Sequence, residues 1–191
     1  MKKLVLLWVL FAFAAFRLAA QCDLAVDVVD DFDSTRLISA KAVNIGYMIP
    51  SKFETLDGPK LIEEGKLLFS YTENDSINCF FITLAIAEYN YEYIDVGFNV
   101  LLKLSNGEVI GLYNVPDSGT FDKKTNMRLY QHTCVASLDL FSKLVFYNIE
   151  KIRIEYKKQR RTLTLSDKQQ AEVKKAIQCV GERLDMFPIK P

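Results

Sequence analysis

Histidine is almost missing from this chain. His132 is the only one, which excludes any site that needs two imidazoles. Cysteine is sparse too: Cys22, Cys79, Cys134 and Cys179 lie far apart with no C-x-x-C pair, so neither a zinc ribbon nor a dithiol redox centre is indicated. A single tryptophan, Trp8, sits in the first 20 residues. No Gly-x-Ser-x-Gly elbow, internal repeat, low-complexity tract or Pro/Gly/Ser linker interrupts the sequence. There is no excess of either charge, with 24 basic and 24 acidic residues, so attraction to nucleic acid or anionic lipid does not follow from composition. No apolar run approaches the roughly 20 residues that a membrane-spanning helix requires.

The longest apolar run is at the front. Met1-Lys2-Lys3 precedes 13 apolar residues from Leu4 to Phe16, followed by Arg17-Leu18-Ala19-Ala20-Gln21. A basic start, an apolar centre and a small-residue end are the parts of a secretory signal, and cleavage is expected before Gln21. A lipoprotein signal would use Cys22, but Gln21 and Ala19 occupy the positions where a small and an aliphatic residue belong, so free export is the better reading. The expected organisation is a signal peptide over 1–20, one β-rich domain over 21–186 and a tail over 187–191. Removing the signal takes three basic residues and no acid, which leaves 21 against 24 and a net charge of −3. In an oxidising periplasmic or extracellular compartment, four cysteines favour two disulfides, with three connectivities open and buried free thiols as the alternative.

From about Thr35 to Leu165 the dominant period is two, the strand period. Phe80, Ile82, Leu84 and Ile86 alternate with Cys79, Phe81, Thr83 and Ala85, so both faces there read as mostly covered. Ile152, Ile154 and Tyr156 alternate with Lys151, Arg153 and Glu155, which reads as one dry face and one wet face. Tyr130, His132 and Cys134 share a side of a strand over Met127–Ala136. Ser105-Asn106-Gly107-Glu108 predicts a hairpin with a type I′ turn, and Asn114–Asn126, with Pro116 and Gly119, predicts a long exposed loop. Ser137 opens a short helix over Leu138–Phe146. Ser166 with Gln169 forms a capping box for a helix over Asp167–Leu184, whose stripe Val173, Ala176, Ile177, Val180 would face a sheet. Strands joined by hairpins, with no βαβ alternation, imply a mainly β fold: an antiparallel β-sandwich or curled barrel with a short helix and a C-terminal helix.

The hairpin at Leu102–Glu108, the short helix at Leu138–Leu144 and the strand at Ile149–Ile154, behind a signal ending in Ala-Gln, resemble the uncharacterised exported β-rich proteins of gut-type Gram-negative bacteria. The resemblance covers the second half of the chain and rests on structural motifs. It implies a fold and a compartment, and transfers no active site.

Asp31-Phe32-Asp33-Ser34-Thr35 has the Asp-x-Asp-x-Thr form of the first motif of haloacid-dehalogenase-type phosphatases, where one aspartate attacks phosphorus beside a magnesium ion. That chemistry needs a parallel α/β sheet, which the downstream pattern does not support. The same acids mimic EF-hand positions 1, 3 and 5, but Arg36 and Ala42 stand where glycine and glutamate belong, so no metal site is expected. His132 and Cys134 lie two residues apart on one strand side, about 7 Å, too far for a nucleophile–base hydrogen bond. A half-buried strand histidine and a disulfide cysteine are the expected fates. The acids Glu63, Glu64, Glu88, Glu92 and Asp95 give no pair that the sequence shows to be facing. Lys157–Arg161 is a basic cluster, read as a charged hairpin end rather than a polyanion site.

Tyr89, Tyr91 and Tyr93 alternate along one segment and share a face, either as a ligand platform or as cross-strand packing. They are the candidate ligand-binding residues. No catalytic residue and no cofactor is assigned. The expectation is an exported, non-enzymatic binding module for a protein, glycan or envelope component. A secreted hydrolase with an unrecognised active site is the alternative.

Overall fold

The computed structural model describes residues 22–50, 54–55, 58–59, 62–76 and 78–187. The expected signal peptide, its cleavage point at Gln21 and all of the tail except Phe187 lie outside the described residues.

Thirteen strands and two helices follow one another as β1 (Leu24–Val29), β2 (Arg36–Ala40), β3 (Val43–Met48), β4 (Glu54–Thr55), β5 (Gly58–Pro59), β6 (Glu63–Glu73), β7 (Asn78–Glu88), β8 (Gly97–Leu104), β9 (Val109–Pro116), β10 (Thr120–Asp122), β11 (Met127–Ala136), α1 (Leu138–Phe146), β12 (Ile149–Glu155), β13 (Arg160–Thr164) and α2 (Asp167–Arg183). Apart from the two-residue pair β4–β5, all strands join one antiparallel sheet in the order β1-β2-β6-β7-β11-β9-β8-β12-β13. β6 carries β2 and β3 end to end on one edge, and β11 likewise carries β9 and β10. The sheet curls until β13 comes against β3: a Cβ added to Gly46 would stand 3.2 Å from Leu163. Among the described residues no strand pairing joins the two, so the curl is open and is not a closed barrel.

The alternation seen in the sequence decides which side is dry. Phe69, Phe80, Ile82, Leu84, Leu102, Ile152 and their neighbours line the concave side and form one core. The other side of β7 is only half-buried. Both helices cover the concave side. α1 is capped by Ser137, whose hydroxyl accepts from the Leu140 amide at 3.2 Å, and α2 by the Ser166–Gln169 capping box. Phe141 of α1 stacks on Phe80 with ring centres 4.4 Å apart, and Phe69 joins the stack at 5.5 Å from Phe80. α2 meets this cluster at Gly181, where an added Cβ would stand 2.7 Å from the Phe141 ring. Glycine is required there by space, since the position is helical.

Three expectations change. First, Cys22 and Cys179 stand at disulfide distance, Cα–Cα 5.2 Å, tying the lead into β1 to α2, whereas Cys79 and Cys134 are free. Cys134 is fully buried in the core opposite Ile82, while Cys79 has the opposite strand parity and lies on the outer side, so the sheet itself keeps the two thiols apart. Cys22, paired in this way, offers no thiol for acylation. Second, the loop expected over Asn114–Asn126 is partly strand: β9 runs to Pro116 and β10 adds to β11. Asp117 makes the join, accepting from the Gly119 and Gln131 amides at 2.9 Å each, and Gly119 takes a positive φ of 72°. Third, only Gly107 of the Asn106-Gly107 pair has positive φ, 88°, so the turn is not type I′; Gly107 donates to Leu104 at 2.9 Å in a three-residue loop.

Candidate functional site

Past the end of β7 the chain bends at Tyr89 and Asn90 and continues to Asp95 without strand pairing. Its alternation splits the side chains. Tyr89, Tyr91 and Tyr93 face outward, 47%, 61% and 49% exposed, and Glu92 faces inward and is buried, as is Glu88 just before it. The outward tyrosines are braced. The Tyr89 hydroxyl donates to the Ile49 carbonyl at 2.6 Å, Arg128 lies 5.2 Å from the Tyr91 ring centre, and Lys157 lies 4.0 Å from that of Tyr93. Lys157 also donates its amide to the Tyr93 carbonyl at 2.9 Å and reaches Asp95 at 3.4 Å. The three sequence-selected tyrosines therefore punctuate an exposed ledge, each braced on a different part of the fold, and none serves as a cross-strand core packer.

Beneath the ledge lies a line of buried polar groups. Asn114 donates to Asn99 at 2.8 Å and stands 3.3 Å from His132 Nδ1. His132 Nε2 lies 3.2 Å from the Tyr156 hydroxyl, which bonds in turn to Glu88. Glu88 receives Arg161 in a two-point ion pair, Nε to Oε1 at 3.0 Å and Nη2 to Oε2. Tyr130 accepts the Glu92 amide at 2.6 Å and anchors the ledge from below. A bulge where β8 meets β9 turns Asn99 toward this line and puts Phe98 on the outer side against Tyr113, 5.4 Å between ring centres.

The electrostatics follow from burial. His132 is wholly sequestered at 0% exposure, which pushes its pKa down to about 4 and leaves it neutral at physiological pH. Desolvation raises the Tyr156 phenol, helped by the Glu88 charge, and raises Glu92 by the same two causes. Arg161 is held further into its charged form by the bond to Glu88. Both ring nitrogens of His132 are engaged by Asn114 and Tyr156, so Cys134 is not its partner, and burial pushes that thiol up to about 12. The expected half-buried histidine is thus fully buried: at His132 the strand β11 is paired on both sides, with Leu84 of β7 and Pro116 of β9, and its core face carries the ring in. Sealed donors and acceptors of this kind tie strands together.

The other candidates separate. Asp31–Thr35 forms the tip between β1 and β2 in an antiparallel sheet, where phosphatase geometry cannot arise. Among the described residues no group of three or more His, Cys, Asp or Glu side chains stands ready to hold a metal. The basic cluster is largely neutralised, Lys157 by Asp95, Arg160 by Glu155 at 3.4 Å and Arg161 by Glu88. A cleft of about 280 Å³ between α2 and β3 has charges of both signs, with Lys41 already on Asp23 at 2.8 Å. Sequence reasoning missed the Glu88–Arg161 pair. Its one local signal was the parity of Arg161 with Leu163 on β13, both half-buried between exposed neighbours.

No protein-family model matches this chain. Neither the curated proteins nor the solved structures contain a significant match. No helix among the described residues is long and apolar enough to cross a membrane, and the Cys22–Cys179 pair fits an exported protein.

Proposed function

We propose that this chain is an exported, non-enzymatic binding module that takes a glycan of the cell envelope or extracellular space on the ledge of Tyr89, Tyr91 and Tyr93. The observation that carries this reading is the split at residues 88–93. Three aromatic rings are exposed at alternate positions, and the backbone that carries them is held by Tyr130 and by the Glu88–Arg161 pair. Rings fixed before binding lose little freedom when a ligand stacks on them, so their contact area is converted efficiently into affinity. Arg128 and Lys157, already beside the rings, supply donors for sugar hydroxyls or carboxylates. Export is supported by the signal-like N-terminus and by the cystine pair. The likeness to exported β-rich proteins of gut-type Gram-negative bacteria agrees with it.

The test is a glycan array probed with the wild-type protein and with Tyr91→Ala/Tyr93→Ala, with thermal melting as the fold control. At least one glycan is expected to bind the wild type and to lose at least about tenfold in affinity with the double variant. Absence of any glycan ligand, or equal binding by both proteins, overturns the ledge. Turnover of chromogenic glycosides or esters would establish the hydrolase alternative instead.

A further inference from the structure

The most exposed large apolar side chain among the described residues is Phe32, at 101% of its reference exposure. It stands at the tip between β1 and β2, flanked by Asp30, Asp31 and Asp33. The tip is ordered. Asp30 accepts the Phe32 amide at 2.7 Å, Asp33 accepts the Thr35 amide at 2.9 Å, and the Asp30 amide donates to the Thr35 carbonyl at 2.8 Å. Ser34 completes the turn with a φ of 58°. Val28 and Val29, at the end of β1, are exposed as well. A phenylalanine fixed in water by a preformed, triply acidic turn gains nothing from its own fold.

The outer side of β8, β9, β12 and β13 holds a shape that complements it. Leu101 and Val109 are the apolar side chains that line a groove of about 120 Å³, with Lys103, Lys151, Arg153 and Thr162 around them. The pairings Lys151↔Lys103 and Arg153↔Leu101 place these side chains in two adjacent cross-strand rows. The volume is of the order of the roughly 150 Å³ cavity that takes a benzene ring. Glu150 lies 3.6 Å from Lys103 and Glu155 lies 3.4 Å from Arg160, so the rim keeps a basic excess near Lys151 and Arg153.

The geometry points to a second copy of this chain as the occupant: the Asp30–Asp33 tip of one copy enters the basic groove of the next, with Phe32 on Leu101 and Val109 and the aspartates facing Lys151 and Arg153. Opposite charge and matched size argue for the pairing, and the full exposure of Phe32 shows that the tip does not rest on its own chain. Tip and groove are different surfaces, so the contact is head to tail and repeats into short chains or closes into a ring. One tip in one groove buries far less than the roughly 1,200 Å² of a stable interface, so the association is weak and rises with concentration. It is independent of the tyrosine ledge.

Sedimentation velocity on the disulfide-intact protein tests this, over a concentration series from about 10 μM to about 1 mM, the range in which a small interface becomes populated. The weight-average sedimentation coefficient is expected to climb with concentration and to climb less in high salt. Phe32→Ala and Lys151→Glu/Arg153→Glu are each expected to raise the dissociation constant at least about tenfold, with melting temperatures unchanged because all three residues lie at the surface. Mixing these two variants should restore association, and it should stop at 1:1 pairs, because only one intact tip and one intact groove remain. A wild type that stays monomeric throughout, association that Phe32→Ala leaves intact, or a mixture that stays monomeric overturns the proposal. The first result would leave the tip and groove to a different protein.

Discussion

The two sides of the segment from Glu88 to Tyr93 are one residue apart in sequence and opposite in physics. Outward, Tyr89, Tyr91 and Tyr93 meet water and two cations, where contacts are worth tenths of a kcal/mol to about 1 kcal/mol. Inward, Glu88 and Glu92 lie in a desolvated line with Arg161, Tyr156, His132 and Asn114, where removing one partner leaves another unsatisfied. The inner side sets the position of the ledge, and the alternation of side chains alone separates the two environments.

The largest expected break is on the inside. Arg161→Met leaves the buried Glu88 carboxylate unpaired and should cost about 3–5 kcal/mol in urea unfolding. The double variant Glu88→Gln/Arg161→Met should recover most of that loss. If the single variant proves neutral, the ion pair does not hold the ledge. Acid should act nearly as strongly. His132 titrates near 4 when folded and near 6.5 when unfolded, so the unfolded chain binds the proton first. Stability is therefore complete above about pH 6.5 and falls by up to about 3 kcal/mol as pH drops toward 4. Glu92, raised by burial, works against this slope near its lower end, so the comparison to make is with His132→Asn, which should flatten the slope.

A smaller effect is expected where the helices meet. Gly181→Ala drives a methyl into the Phe141 ring and should cost about 1–3 kcal/mol by overpacking, read as a lower melting temperature. Smallest of all, Tyr91→Ala/Tyr93→Ala should change stability by no more than about 1 kcal/mol while weakening glycan binding at least about tenfold. A large loss of stability in that variant would place the tyrosines with the core and erase the contrast between the two sides.

The fold was legible where the signal was local. Period two marked the strands, and Ser137 and the Ser166–Gln169 box marked the helix starts to the residue. Pro116 and Gly119 misled, because breaker residues at a strand end read like a loop when Asp117 supplies the missing hydrogen bonds. The tyrosine ledge was legible as alternation. Its foundations were not, since Glu88 and Arg161 are 73 residues apart and meet only because the sheet curls until the end of β7 faces the start of β13. The cystine was hidden for a related reason. Which thiols can meet depends on which face each strand presents, and pairing Cys22 with Cys179 needs α2 placed over β2 and β3.

That cystine gives the chain a mechanical property. It joins a residue just ahead of the first strand to one near the end of the last helix, 157 positions on. A pull applied at the two ends of the protein runs through the sulfur–sulfur link and bypasses the sheet. About 550 Å of extended chain is locked away from that load until a reductant opens the link. Under such a load the sheet would stay at rest while the chain on either side of the link carries the tension.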